Sequence, residues 1–194
     1  LSLPPDTDQF WSEHLQSFTP QRLPVDIRNV QTTARQDGAL EHSIRDLDTP
    51  LDTIEERIHN LGGSLLSLCQ AAWAMSLSAV LQVPDVCFGN VVSGRSINKD
   101  GIERLVAPCF NTVPLRTDLS ALASNRAVVN HFRKLNADIL PYQFRQLRRI
   151  HSSTGLNDAA LFETLLLLQP TPRQVESSIW ELERESGSMD VGQD

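Results

Sequence analysis

Val86-Cys-Phe-Gly-Asn-Val-Val-Ser-Gly-Arg95 is the stretch on which the fold turns. Val86 to Val92 is a short continuous run with almost no polar alternation, which predicts a strand buried on both sides. Ser93-Gly94-Arg95 ends it in a turn. A strand without a polar face needs a layer on each side, so the neighbouring segments are expected to supply helices.

They do. Upstream, Ser64 starts a long helix that ends near Gln82 and is apolar on most faces, as suits a helix at the centre of a domain. Gly62-Gly63 separates it from a helix begun by Asp48-Thr49-Pro50, with Thr49 as cap and Pro50 in the first turn, running to about Asn60. Further back, Ala39-Leu-Glu-His-Ser-Ile44 alternates like a strand. Asp6 or Thr7 can cap a short helix carrying Phe10, Trp11, Leu15 and Phe18. Downstream, Cys109 to Leu115 reads as a second buried strand, and Asp118 as the cap of a helix from Ser120 to about Ala137. Pro141 opens another helix through Arg149. Leu161 to Gln169 reads as a third buried strand, and Ile179 to Leu182 as a fourth. The order predicts an α/β layer architecture with a largely covered sheet.

Composition narrows the function. Of 194 residues, 40% are hydrophobic and 21% charged, which fits one folded domain. The formal charge of -7 argues against nucleic acid as a partner, because phosphate neutralisation needs clustered Lys and Arg. The local basic cluster, Arg145, Arg148, Arg149 and His151, reads first as a solvated helix face. Leu65 to Leu81 is broken by Ser67, Gln70, Ser76 and Ser78, so a membrane is not expected as a partner either. Cys69, Cys87 and Cys109 lack metal or disulfide spacing and read as reduced core residues of a cytoplasmic protein. With Leu1 at one end and a polar run, Glu185 to Asp190, near the other, the chain reads as a piece of a longer polypeptide.

Familiar catalytic signatures are few in this sequence. The chain has no HExxH pattern, phosphate-binding or dinucleotide glycine pattern, or Gly-x-Ser-x-Gly elbow. His131 sits among Val128, Val129 and Phe132 and reads as structural. His42 can pair with a carboxylate but has no nucleophile placed with it. Three segments carry more. Phe88 to Arg95 delivers Ser93 and Gly94 to a turn, where glycine allows close backbone approach; an ordinary strand end needs the same residue. Val106-Ala-Pro-Cys-Phe-Asn-Thr-Val-Pro-Leu-Arg116 places Asn111 and Thr112 inside an apolar strand, where they need partners. Leu140-Pro-Tyr-Gln-Phe-Arg-Gln-Leu147 leads toward Ala160-Leu-Phe-Glu-Thr-Leu165.

In this order, the segments resemble the C-terminal half of condensation domains of nonribosomal peptide synthetases. Phe10-Trp11 with Leu15 resembles the helix that opens that half. Gly89-Asn-Val-Val-Ser-Gly-Arg95 is similar to the family's Gly-Asn-x-x-Ser-Gly-Arg strand, and Phe110-Asn-Thr-Val-Pro-Leu-Arg116 to its Asn-Thr-x-x-x-Arg motif. Leu140-Pro-Tyr-Gln-Phe resembles a later Pro-Phe-Glu helix, with Tyr142 and Gln143 in place of Phe and Glu. Leu161 to Gln169 resembles the strand after it. The wording of the second and third motifs is closest to fungal synthetases, in particular those making hydroxamate siderophores.

The resemblance implies a chloramphenicol acetyltransferase-like lobe of the CoA-dependent acyltransferase superfamily, a mixed β-sheet covered by helices. Residues 1-194 are then the C-terminal half of the domain, with its last elements cut short. The other lobe would carry the His-His-x-x-x-Asp-Gly motif and the catalytic histidine. The implied activity is amide formation between a carrier-bound acyl or peptidyl donor and an aminoacyl acceptor. This fragment would be inactive alone. Ser93, Gly94, Arg95, Asn111 and Thr112 would line the substrate channel, while Arg116 reads as a structural partner for a carboxylate. No cofactor or metal is expected to bind directly; phosphopantetheine arms would arrive on partner carrier proteins. Other implied partners are the N-terminal lobe and an adjacent adenylation domain. The alternatives are a non-catalytic carrier-docking module, or a terminal cyclising or ester-forming relative.

Overall fold

The central strand β1, Asp85–Ser93, pairs antiparallel with β2, Phe110–Asp118, and parallel with a short β3, Leu165–Leu166. The order β2-β1-β3 makes the sheet mixed. These elements come from a computed structural model that describes residues 3–24, 42–96, 104, 109–155 and 160–169.

In the β1–β2 register, Val86 faces Thr117, Phe88 faces Leu115, Asn90 faces Val113 and Val92 faces Asn111. Directly paired residues share a face, so this set forms one side of the sheet. Cys87, Gly89, Val91 and Ser93, with Arg116, Pro114, Thr112 and Phe110, form the other.

The first side is covered by two helices. Helix α3, Leu65–Leu81, begins in a reciprocal cap: Ser64 Oγ accepts from the Ser67 amide at 3.2 Å, and the Ser64 amide donates to Ser67 Oγ at 2.8 Å. It ends at Gln82, in the left-handed region at φ 57°. Helix α4, Asn125–Ile139, is capped by Ser124 and buries Val128, Val129, Phe132, Leu135 and Ile139. The fully buried Phe132 meets Phe88, ring centroids 6.1 Å apart. Helix α2, Leu51–Asn60, packs on α3 through the buried Ile58.

The second side carries α1, Thr7–His14, and α5, Leu147–Ser153, which pack on each other and bury Trp11 and Ile150 completely. The chain passes from one side to the other around the β2 edge, through the 3-10 turn Leu140–Tyr142.

Several expectations need correction. Helix α2 starts one residue late, at Leu51, with Pro50 rather than Thr49 at its cap. Asp118 caps only a 3-10 turn, Leu119–Ala121, not a helix from Ser120. Two cap-competent residues lie close together there, and the later one, Ser124, precedes the apolar helical repeat. The helix expected from Pro141 through Arg149 is split. The carbonyls of Gln143 and Arg145 accept from the Asn111 side chain, and α5 begins only at Leu147.

Leu161 to Gln169 is not a buried strand. Only Leu165 and Leu166 pair, and Leu165 and Leu167 are more than half exposed. Strand β3 lies at the outer position of the described sheet, which leaves one side of it uncovered. Of the Ala39–Ile44 strand, residues 42–44 are irregular and exposed, and the rest lie outside the described residues. Ile179 to Leu182 also lie outside them.

Candidate functional site

Both Gly-containing positions of the 89–95 segment are places of close approach. At Gly89 an added Cβ would stand 2.3 Å from Leu165 Cδ2 and 2.5 Å from Phe162 Cε2, so glycine is what lets β3 dock. Gly94 donates its amide to the Cys109 carbonyl at 2.7 Å, and a Cβ there would crowd that carbonyl at 3.2 Å. The exit of β1 is thereby clamped beside the entry of β2.

That clamp gathers the expected site residues at one end of the sheet. Ser93, the last residue of β1, is exposed, and its Oγ accepts from the Arg95 amide at 3.2 Å. Arg95 is exposed in the 3-10 turn Gly94–Ser96. Thr112 is half-buried and shares a face with Ser93. Asn111 lies on the opposite face. Its Nδ2 donates to the carbonyls of Gln143 and Arg145, each at 2.8 Å. Both amide hydrogens of Asn111 are therefore used to hold the segment that rounds the β2 edge.

Behind Ser93 lies a cavity of about 300 Å³. Its floor is the buried set Asn90, Val113, Leu115 and Gln143, and its exposed rim includes Ser93, Leu140 and Leu168. Among the described residues no charged side chain lines it. On one wall three carboxamides are joined. Gln70 Nε2 donates to Asn90 Oδ1 at 3.2 Å and to Asn136 Oδ1 at 3.0 Å, and Asn136 Nδ2 returns a 2.7 Å bond to Gln70 Oε1. Sequence reading missed this group because its members come from α3, β1 and α4. The available signal was Gln70, a polar residue within an apolar helix that needs a partner once buried.

The far end of the sheet is a scaffold. Arg116 forks onto Asp85, Nε to Oδ1 at 3.0 Å and Nη2 to Oδ2 at 2.9 Å, and also binds the carbonyls that end α1, Gln16 at 2.5 Å and His14 at 3.4 Å. His14 accepts from the Arg116 amide through Nε2. Burial, aided by the Arg116 charge, lowers its pKa to about 4, so it is neutral near pH 7. Burial pushes the Cys87 thiol well above its usual range. The basic cluster is partly spent, since Arg145 pairs with Asp8 at 2.6 Å. Among the described residues no group of His, Cys, Asp and Glu suits a metal ion, and no single helix is long and apolar enough to cross a membrane.

This mixed sheet with helices on both faces is shared with solved domains of nonribosomal peptide synthesis. The chain superposes with a TM-score of 0.63 on a four-domain nonribosomal peptide synthetase bound to AMP and glycine, at 14% identity over 88% of this chain and 13% of that one. With the X-domain from teicoplanin biosynthesis the TM-score is 0.59, at 22% identity over 82% of this chain and 35% of that one. The Condensation domain profile matches residues 5–193, and the chain belongs to that family.

Among its relatives are nonribosomal peptide synthetase 2 of Gibberella zeae, 43% identical over 98% of this chain, and nonribosomal peptide synthetase SIDC of Beauveria bassiana, 39% identical over 98%. The hydroxamate-type ferrichrome siderophore peptide synthetase of Schizosaccharomyces pombe is 29% identical over 94%. The chain spans about 4% of the length of each of these relatives.

Proposed function

We propose that residues 1–194 are the C-terminal half of a condensation domain and form one wall of the channel in which an amide bond is made. The observation that carries this is that Ser93, Gly94, Arg95, Asn111 and Thr112 all lie at one end of the sheet, where Ser93 also lines a cavity. In the reaction the acceptor amine attacks the donor thioester carbonyl. The new C–N bond replaces the C–S bond, the thiol leaves on its carrier, and the amine gives up a proton. Neither substrate needs a charged group from this half. Its work is to hold the two chains in reacting geometry, a large part of such a barrier.

No His-His-x-x-x-Asp-Gly sequence occurs in the chain, so the histidine that acts at the amide-forming step is assigned to the N-terminal lobe. By this reading the fragment is inactive alone. Phosphopantetheine arms bring the substrates on carrier proteins, and an adenylation domain of the same cytoplasmic synthetase loads them. Ser93 and Thr112 face the channel, Gly94 keeps its wall close, and Asn111 fixes the wall's position. Similarity to the hydroxamate-type ferrichrome siderophore peptide synthetase supports a place in fungal hydroxamate siderophore assembly.

The test combines this lobe with an N-terminal lobe carrying the histidine motif and supplies two loaded carrier proteins. Product from the pair, and none from either lobe alone, is the expected result. Carrier binding without any product would replace the half-enzyme reading with a docking module.

A further inference from the structure

The segment that rounds the β2 edge is gripped from two sides. From the sheet, Asn111 holds the carbonyls of Gln143 and Arg145. From the other side, α1 holds the same segment. The Tyr142 ring stacks on Phe10, with centroids 4.1 Å apart and planes 16° from parallel. The Tyr142 hydroxyl donates to Asp6 Oδ2 at 2.9 Å, and the Tyr142 carbonyl accepts from Trp11 Nε1 at 3.4 Å. Arg145 Nη2 donates to Asp8 Oδ2 at 2.6 Å. Helix α1 is itself fixed, because Trp11 is fully buried and Arg116 holds the carbonyls of His14 and Gln16 at the helix's far end. It is a strut between the scaffold end of the sheet and the crossing segment. Gln143 lies between the two grips, is 5% exposed and lines the cavity behind Ser93.

We propose that Tyr142 is a positioning residue for the condensation reaction. The exposed contacts of this set add little stability, since solvent screens an ion pair such as Asp8–Arg145. What they fix is place, and a displacement of about 1 Å in the groups that set reacting geometry can cost about a hundredfold in rate. The stack on Phe10 and the bond to Asp6 lock the crossing segment to α1, which sets Gln143 on the cavity floor beside the proposed channel. Tyr142 does not line the cavity, so it acts through Gln143. A Phe at this position keeps the stack and the bond from Trp11, whereas a smaller residue frees the segment to shift against α1. The inference rests on the reading of this chain as half of a condensation domain, and it holds whatever group enters the cavity.

The experiment uses the full condensation domain that contains this chain and two loaded carrier proteins. Both kcat and KM are measured, with the thermal midpoint as a folding control. Tyr142→Ala is expected to lower kcat about tenfold while KM for either carrier changes by less than about twofold, because geometry is lost and capture is not. Tyr142→Phe is expected to recover most of that loss. Gln143→Ala should lower kcat as well. The double variant, Tyr142→Ala with Gln143→Ala, should be no slower than the worse single one, since residues that act as a unit are not additive. Should Tyr142→Ala fail to fold, Tyr142→Leu, which keeps an apolar contact but not the stack, takes its place. An unchanged kcat in the Tyr142 variants, or losses that multiply in the double variant, overturns the positioning role and leaves the half-enzyme reading standing. Absence of product from the wild-type domain overturns that reading and the inference with it.

Discussion

Asn111 holds Gln143. The Asn111 side-chain amide donates to the Gln143 carbonyl at 2.8 Å, and its second hydrogen reaches the Arg145 carbonyl at the same distance. Those carbonyls lie in the segment that carries the chain from α4 on one face of the sheet to α5 on the other. One side chain of β2 thus fixes both the crossing and the position of Gln143 on the cavity floor.

Asn111→Ala should therefore cost about 1–3 kcal/mol, the usual cost of stranding buried acceptors. Asn111→Asp should cost more, since a carboxylate has nothing to donate and faces two carbonyls. Urea unfolding of the full condensation domain measures both. Unchanged stability with lost product formation would instead make Asn111 a substrate contact.

Arg116 ties β1, β2 and the end of α1 together through Asp85 and the carbonyls of His14 and Gln16. Arg116→Lys keeps the charge but loses the two-pronged geometry, so it is expected to destabilise by about 2 kcal/mol. Asp85→Asn should fall in the same range. In a double-mutant cycle the two effects should be clearly less than additive; full additivity would mean that the pair contributes nothing.

His14 gives stability a pH dependence. Its folded pKa of about 4 lies below the unfolded value of 6.5, so between these values the unfolded chain binds more protons. The contribution is complete above pH 6.5 and is lost as pH falls toward 4, with a slope of up to about 1.4 kcal/mol per pH unit. His14→Gln should flatten that part of the stability curve. A variant whose acid limb matches the wild type would assign the effect to other groups.

Gly89→Ala drives a methyl group into Leu165 and Phe162. Overpacking of this kind costs about 1–3 kcal/mol, and combination with Leu165→Ala should recover part of it. Failure of the second change to rescue the first would mean that β3 does not seat over Gly89 in solution.

Sequence reading succeeds where the signal is local. The ends of α3 are written in Ser64, Ser67 and Gln82, whose chemistry acts within one turn, and β1 follows from its unbroken apolar run. It fails where tertiary partners decide. Nothing near Pro141 tells that Asn111 will take two of the carbonyls a helix needs. The apolarity of Leu161 to Gln169 reports that a surface is to be covered, not that the segment will pair as a strand. The site divides in the same way. The turn at Ser93 and Gly94 is visible in the chain, whereas the wall formed by Gln70, Asn90 and Asn136 exists only after α3, β1 and α4 have met.

The parallel pairing of β1 with β3 also sets an order of events in folding. Trp73 on α3 reaches Thr164, beside β3, across a sequence separation of 91, whereas β1 and β2 are close neighbours along the chain. Closing the longer loop costs more entropy, and only the register pairs Gly89–Leu165 and Asn90–Leu166 repay it within the described sheet. The antiparallel pair is then the early nucleus and β3 the last element to arrive. It is also the first to leave. In native-state hydrogen exchange the Gly89 amide, bonded to the Thr164 carbonyl, should open at a lower free energy than the amides that bind β1 to β2.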